Sequence, residues 1–183
     1  MTEKEERILN ASKEIFLKFG YTKTTMNDIA EAVGISRPGL YLIYPKKEEI
    51  FKALILKLSK ELSAEVKKRN AKVKEPLLKL REVLNIWVVD MYTLLNQSPE
   101  SAELYENQFC FTKKCMQKST ELFISDLEEV LKLFPSKSFN DNIEPKDVAV
   151  IISSAVIGIK KQVHHLDDLK RNIDLLIRIC IKI

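Results

Sequence analysis

Residues that interrupt helices are scarce in this 183-residue sequence, which has only 4 glycines and 6 prolines. Leucine, isoleucine, lysine and glutamate are abundant instead, and this composition favours helix nearly throughout. The 45% of apolar residues suffices for a sizeable core, which excludes a disordered chain. The sequence therefore predicts an all-α protein of one large or two small domains.

Cysteine and histidine are too few and too poorly spaced for a disulfide framework or a metal centre. The three cysteines are odd in number and lack Cys-x-x-Cys spacing, so we expect buried thiols, with a redox role for an exposed thiol as the alternative. His164 and His165 are adjacent, and neighbours on a helix point about 100° apart, which is poor geometry for holding one ion. No nucleophile elbow, phosphate-binding glycine loop or Cys/His triad occurs, so we expect no metal, no cofactor and no catalytic residues.

Strong charge and long apolar runs are also missing. The net charge of +4 is modest for a protein that binds nucleic acid, so any basic footprint must be local. The longest apolar stretch, residues 148–159, includes two serines and is shorter than the roughly twenty residues of a membrane span. The first six residues lack the basic start and apolar run of a signal peptide. These features predict a cytoplasmic protein with no membrane partner.

The stretch of residues 25–44 has the pattern of two short helices joined by a tight turn. Thr25 can cap the first helix, and Asp28 can reach back to it three residues later. Gly34 can adopt the positive φ that reverses the chain, and Ser36 can cap a second helix. This pattern is typical of a helix-turn-helix, although an ordinary helical hairpin can share it.

The second helix of this stretch suits a recognition helix, whose first residues enter the major groove of DNA. Arg37 can donate two hydrogen bonds to a guanine edge or bind a phosphate, and Gly39 leaves room for close approach. Tyr41 and Lys47 can reach flanking phosphates. The residues predicted to contact double-stranded DNA are Thr24, Thr25, Ser36, Arg37, Pro38, Gly39, Tyr41 and Lys47.

Characteristic residues are spread over the first third of the chain. They are the apolar face of the first helix, Gly20-Tyr21, Thr24-Thr25, Asp28-Ile29-Ala30, Gly34, Leu40-Tyr41 and the run from Tyr44 to Glu49. In this combination the first third of the chain resembles the DNA-binding domain of the TetR family of bacterial transcription regulators. Leu42 and Ile43 stand where the family often has polar residues that help to hold phosphate, Tyr44 replaces the usual Phe, and Lys46 replaces a frequent Ser. These departures indicate a weaker grip on phosphate, or else packing of the two apolar residues in a dimer.

The resemblance implies a helix-turn-helix domain over residues 1–47, continuing into a long helix to about residue 63. Residues 48–183 are then expected to form a helical effector-binding and dimerisation domain, for a total of about nine helices. Periodicity predicts a first helix from about residue 4 to 19, a fourth from about 47 to 70, and a fifth that begins at Pro76.

Aromatic side chains are concentrated in the middle of the chain, in a composition that suits either a ligand pocket or a plain helical core. The resemblance implies a pocket for an apolar or aromatic effector, which we predict to be lined by Trp87, Met91, Tyr105, Phe109, Phe111 and Phe123. The last two helices are apolar on more than one side, which predicts a homodimer formed through a four-helix bundle. The predicted interface residues are Ile152, Val156, Ile159, Leu176 and Ile179.

Together these features predict a repressor that binds a near-palindromic operator as a homodimer and is released by a small-molecule effector. The alternative is a DNA-binding protein that is constitutive or activating, with a C-terminal domain that binds other proteins.

Overall fold

A computed structural model describes residues 1–106, 110–140 and 143–182, and every regular element in these ranges is helical. The predicted all-α class is confirmed. The helices are α1 (Glu3–Lys23), α2 (Met26–Val33), α3 (Arg37–Tyr41), α4 (Lys47–Asn70), α5 (Pro76–Leu84), α6 (Met91–Leu95), α7 (Pro99–Glu106), α8 (Lys113–Leu131), α9 (Pro145–Gln162) and α10 (Leu166–Cys180). A π-helical segment, Asn85–Asp90, joins α5 to α6. Within the described ranges, no helix has both the length and the apolar character that crossing a bilayer requires.

Helix limits follow local sequence signals. Thr2 and Glu5 form a capping box at the start of α1, and Pro76 and Pro145 occupy the first positions of α5 and α9. Gly20, which follows the predicted end of the first helix, has φ 76° and ψ 167° and interrupts α1, which then resumes to Lys23. This conformation is almost restricted to glycine, so Gly20 sets the bend that leads into α2.

The first compact unit comprises residues 1–58 and 94–118. Helix α7 packs against α1, so this unit includes chain from well beyond the predicted DNA-binding domain. An aromatic cluster fills part of its core: the Phe16 and Phe51 rings lie 5.3 Å apart between centroids, and Phe111 lies 5.5 Å from Tyr21. The division into a DNA-binding and an effector-binding domain at residues 47–63 stays a prediction.

The second compact unit comprises residues 59–93 and 119–183. Its core is formed by apolar side chains from the second half of α4, the α5 region, α8, α9 and α10. Asp126 of α8 is buried in this core, where its carboxylate accepts hydrogen bonds from Ser63 Oγ at 2.8 Å and from Trp87 Nε1 at 2.9 Å. One carboxylate therefore connects α8 to α4 and to the π-helical segment.

Candidate nucleic-acid interface

Helix α2 begins at the predicted capping box. Thr25 Oγ1 accepts a hydrogen bond from the Asp28 amide at 3.3 Å, and Asp28 Oδ2 accepts one from the Thr25 amide at 2.8 Å. The Thr25 hydroxyl also donates to Asp28 Oδ2 at 2.9 Å. The hydrogen bonds from the Thr25 amide and hydroxyl stabilise the ionised carboxylate, so they hold the pKa of Asp28 below its usual value. The start of α2 is thus defined by two side chains only three residues apart.

The turn after α2 depends on Gly34, which has φ 73° and ψ 39°. The Gly34 amide donates to Glu31 O at 3.1 Å, and the Ile35 amide donates to Ala30 O at 3.0 Å. Arg7 of α1 donates to Val33 O at 3.1 Å. Carbonyls at the end of α2 are therefore satisfied by the turn and by α1, which fixes the direction in which the chain enters α3.

Helix α3 is held at one end by a cap and on one side by a buried leucine. Ser36 Oγ accepts a hydrogen bond from the Gly39 amide at 3.2 Å, and a Cβ on residue 39 would lie only 3.0 Å from that oxygen. Glycine at this position therefore leaves room for the cap as well as for a close ligand. Leu40 is completely buried in the core of the first unit and anchors the helix there.

The remaining side chains of α3 are turned outward. Ser36, Arg37, Pro38 and Tyr41 are exposed. The Arg37 guanidinium lies 5.6 Å from the centre of the Tyr41 ring, and its Nη2 atom lies 3.5 Å from the Tyr41 hydroxyl. Stacking on the ring restricts the arginine while leaving its donors open to a ligand.

Two of the predicted DNA-contacting residues lie inside the corner between α1, α2 and α4. Thr24 is 2% exposed, and its hydroxyl donates to Gly20 O at 2.6 Å. The Lys47 ammonium donates to Tyr21 O at 2.6 Å and to Thr24 O at 2.5 Å, and it lies 4.2 Å from the centre of the Tyr21 ring. Burial raises the pKa of Tyr21 to about 12, so this ring stays uncharged beside the ammonium.

Sequence reasoning missed the bracing position of Lys47, although a signal was available. A lysine in the first turn of a helix opposes the helix dipole, so its presence there indicates another partner for the charge. In the structure that partner is the pair of carbonyls that follow the Gly20 bend. Lys47 thus holds the α1–α2 connection from the start of α4.

The predicted pocket residues do not all come together. The rings of Trp87 and Phe123 lie 5.4 Å apart in the core of the second unit, whereas Phe111 belongs to the core of the first. Met91 is partly exposed at the start of α6. Phe109 falls outside the described residues, as does the side chain of Tyr105.

Asp126 is a residue of this region that sequence reasoning did not single out. It is 3% exposed beside Trp87, and burial raises the pKa of its carboxyl despite the two hydrogen bonds that favour the charged form. The sequence feature that could have identified Asp126 is its spacing. It lies three residues after Phe123 and four before Val130, which places it on the apolar face of α8.

A separate cavity of about 400 Å³ opens near the junction of α9 and α10, with His164, His165, Asp168 and Arg171 among its lining residues. Trp87, Met91, Phe111 and Phe123, the predicted pocket residues whose side chains the structure describes, do not line this cavity. The two histidines are exposed there, and the described part of the chain contains no group of three or more side chains suited to a metal ion.

The predicted dimer residues divide between the core and the surface. Ile152 and Val156 are buried within the second unit and so are unavailable to a partner, while Ile159 and Leu176 are partly buried. Ile179 is 79% exposed. The outward apolar residues of α9 and α10, which we call the α9–α10 face, are Val150, Ile151, Ile157, Leu175 and Ile179.

The fold and the outward α3 define a helix-turn-helix protein with a second helical unit. A family profile described as bacterial regulatory proteins, tetR family, matches residues 8–54. This match covers 47 of the 183 residues and includes α2 and α3. It is also 40% identical over 53 residues to the uncharacterized HTH-type transcriptional regulator YfiR of Bacillus subtilis (strain 168). That alignment covers 29% of this chain and 26% of YfiR, so the sequence match spans only about a quarter of the relative.

Solved structures extend the likeness of fold to the whole chain. A TetR transcription regulator from Haloarcula marismortui ATCC 43049 superposes with a TM-score of 0.78 over 100% of both chains, at 14% identity. SmeT, the repressor of the Stenotrophomonas maltophilia multidrug efflux pump SmeDEF, superposes with a TM-score of 0.68 over 97% of this chain and 90% of SmeT, at 16% identity. SmeT is also similar in its complex with triclosan, at 17% identity and a TM-score of 0.68 over 99% of this chain and 93% of SmeT. At these identities the comparison establishes a shared fold.

Proposed function

We propose that this protein regulates transcription by binding a near-palindromic operator as a homodimer, and that it acts as a repressor released by a small-molecule effector. The outward α3, with Arg37 stacked on Tyr41 and Leu40 anchored in the core, is the observation on which DNA binding rests. Two such helices in one dimer can contact two half-sites of the operator, so the dimer reads a longer DNA sequence, and reads it more specifically, than one helix can.

The α9–α10 face supports the dimer. Its five apolar residues are exposed on two helices that pack against each other. Ser154 and Gly158 lie exposed on α9, and a Cβ on Gly158 would meet no described atom within 4 Å. Packing within one protomer therefore gives no reason for the small residue, whereas close approach of a partner helix does. A homodimer buries this surface on both copies at once.

The core of the second unit supports an effector site. Trp87 and Phe123 provide an aromatic surface, and Asp126 provides an acceptor buried beside it. An apolar or aromatic molecule with a hydrogen-bond donor matches these groups, and SmeT, of similar fold, forms a complex with triclosan. A coupling free energy of about 1–3 kcal/mol between the effector and DNA sites is enough for a useful switch.

Helix α4 offers a covalent route for this coupling. Its residues 47–58 belong to the first compact unit and its residues 59–70 to the second. Lys47 braces the α1–α2 connection at one end, and Ser63 donates to Asp126 in the other half. An effector that binds Asp126 competes with Ser63 and Trp87 for the carboxylate, and so acts on α4 directly.

The test is a gel shift on the DNA upstream of the protein's own gene, with and without a panel of aromatic and apolar compounds. We expect a shifted band that at least one compound abolishes. A shift that no compound alters favours the alternative, a constitutive or activating DNA-binding protein whose second unit binds other proteins. Absence of any sequence-selective shift contradicts the proposal for DNA binding.

Dimerisation is tested by light scattering of Ile151→Asp and Ile179→Asp variants, with Leu133→Asp as the matched control. Leu133 is 52% exposed after α8 and outside the α9–α10 face. We expect a wild-type dimer at micromolar concentration, monomers for the first two variants and a dimer for the control. A monomeric wild-type protein contradicts the proposal.

A further inference from the structure

Leu42 follows α3 directly and continues its helical course. Its backbone has φ −66° and ψ −26°, and its amide donates to Pro38 O at 3.1 Å. Helical geometry of about 100° per residue then places both Pro38 and Leu42 about 160° away from Leu40 around the helix axis. Because Leu40 points into the core, Pro38 and Leu42 occupy the centre of the outward face.

The same geometry places Arg37 and Tyr41 at the side of this face. They lie about 60° and 100° from Leu40, respectively. The centre of the outward face is therefore apolar, and the residues that can donate hydrogen bonds flank it. A recognition helix built in this way presents an apolar patch to whatever lies directly in front of it.

Leu42 is 89% exposed, more than any other large apolar side chain in the described ranges. Its neighbour Ile43 packs against the core of the first unit, so exposure is a property of position 42 and not of the whole segment. A leucine this exposed contributes almost nothing to folding, since its apolar surface stays in water.

We infer that Leu42, together with Pro38, contacts the C5-methyl group of thymine in the major groove and makes each half-site selective for thymine. This inference rests on the proposed function. The thymine methyl is the one apolar group that the base edges present in the major groove. Arg37, stacked on Tyr41 beside the patch, favours a nucleic acid over a second apolar protein surface because its charge stays exposed there.

The test compares thymine with deoxyuridine, which lacks only the methyl group. A duplex selected from a randomised pool by the purified wild-type protein is synthesised with each thymine replaced in turn, symmetrically in both half-sites. Dissociation constants are measured by fluorescence anisotropy at one fixed salt concentration. The proteins are wild type, Leu42→Ala, Arg37→Ala and the control Leu133→Ala.

We expect one position at which wild type loses about fourfold in affinity for each methyl group removed, or about fifteenfold for the two half-sites, as burial of one methylene-sized group predicts. Leu42→Ala should bind the thymine and deoxyuridine duplexes about equally at that position. Leu133→Ala should retain the wild-type ratio, and Arg37→Ala should retain it while losing preference elsewhere.

Two results overturn the inference and leave the proposed function intact: a wild-type protein that ignores every deoxyuridine substitution, or Leu42→Ala with the wild-type ratio. The thermal unfolding of Leu42→Ala is measured as well and should match that of the wild type. This shows that the variant is folded, so that its binding ratio can be compared with the wild-type ratio. If no duplex is enriched by the wild-type protein, the proposed function itself fails, and the inference fails with it.

Discussion

Removing the Lys47 ammonium should destabilise the DNA-binding corner without removing a DNA contact. The change is Lys47→Met, which keeps most of the aliphatic stem and deletes the two hydrogen bonds to Tyr21 O and Thr24 O. Hydrogen bonds that involve a charged group contribute about 1.5–3 kcal/mol each, but water can replace part of this because the site is only partly buried. Removing a positive charge from the start of α4, where it is unfavourable, offsets about 0.3–1 kcal/mol of this loss in the free energy of unfolding.

The expected net loss is about 2 kcal/mol in the free energy of unfolding, or roughly 4–8 °C in Tm for a chain of this size. Urea unfolding followed by circular dichroism measures it. Lys46→Met is the matched control, since Lys46 is the exposed neighbour with the same charge and should change the free energy by less than about 0.5 kcal/mol.

The salt dependence of DNA binding distinguishes a Lys47 that holds the α1–α2 connection from a Lys47 that contacts phosphate. A lysine that neutralises one phosphate contributes about one unit to the slope of log Kd against log salt concentration. Bracing predicts an unchanged slope for Lys47→Met at temperatures where the variant is folded. Equal unfolding free energies for the two methionine variants, or a slope reduced by about one for Lys47→Met, would refute the reasoning.

Three further predictions concern the folded chain. Gly34→Ala should lower the free energy of unfolding by about 1–2 kcal/mol because residue 34 has a positive φ. Steric contact adds nothing, since a Cβ there meets no described atom within 4 Å. Gly34→Asn should cost less, and urea unfolding measures both variants. Burial raises the folded-state pKa of Asp126 above its unfolded value, so the stability that the protonated carboxyl contributes should be lost as pH rises through that folded pKa. Asp126→Asn should therefore make the free energy of unfolding less dependent on pH above about pH 4. Asp126→Ala should lower the free energy of unfolding by about 1–3 kcal/mol, because it leaves Trp87 Nε1 unpaired. Burial also raises the pKa of the Cys115 thiol, so native protein at pH 7.5 should resist alkylation at Cys115 in peptide mapping, and rapid labelling would support a redox role instead.

The helix-turn-helix was predictable because its determinants are local. The Thr25 and Asp28 cap spans three residues, and the Gly34 turn is closed by amides that reach only three to five residues back. Such signals can be read from sequence without knowledge of the rest of the fold. The ends of α4 were predictable for the same reason, since a proline precedes it and a polar stretch follows.

Contacts between distant residues were not predictable in this way. The carbonyls bound by Lys47 lie 23 and 26 residues away in the sequence, and Phe111 joins the Tyr21 and Phe51 rings from a later part of the chain. The π-helical segment Asn85–Asp90 carries no local signal that distinguishes it from an α-helix, because it contains neither glycine nor proline. Tertiary packing determines these features.

The α9–α10 face illustrates a different limit. Periodicity identifies the most apolar stripe of α9, and that stripe, with Ile152 and Val156, fills the core of the protomer. The apolar side chains that α9 leaves exposed include Ile151, at the edge of that stripe, and Ile157, outside it. Sequence correctly indicated surplus apolar surface, but only the structure could decide which stripe faces inward.

The most direct test of α3 as the DNA-reading element is the affinity of Arg37→Ala for a selected operator relative to a scrambled duplex, at several salt concentrations. We predict that the ratio of specific to nonspecific affinity falls about tenfold to a hundredfold, as loss of a bidentate base contact implies. The control Lys146→Ala removes one exposed charge from the second unit and should leave the ratio unchanged. A wild-type ratio in Arg37→Ala would contradict the assignment of α3 as the recognition helix.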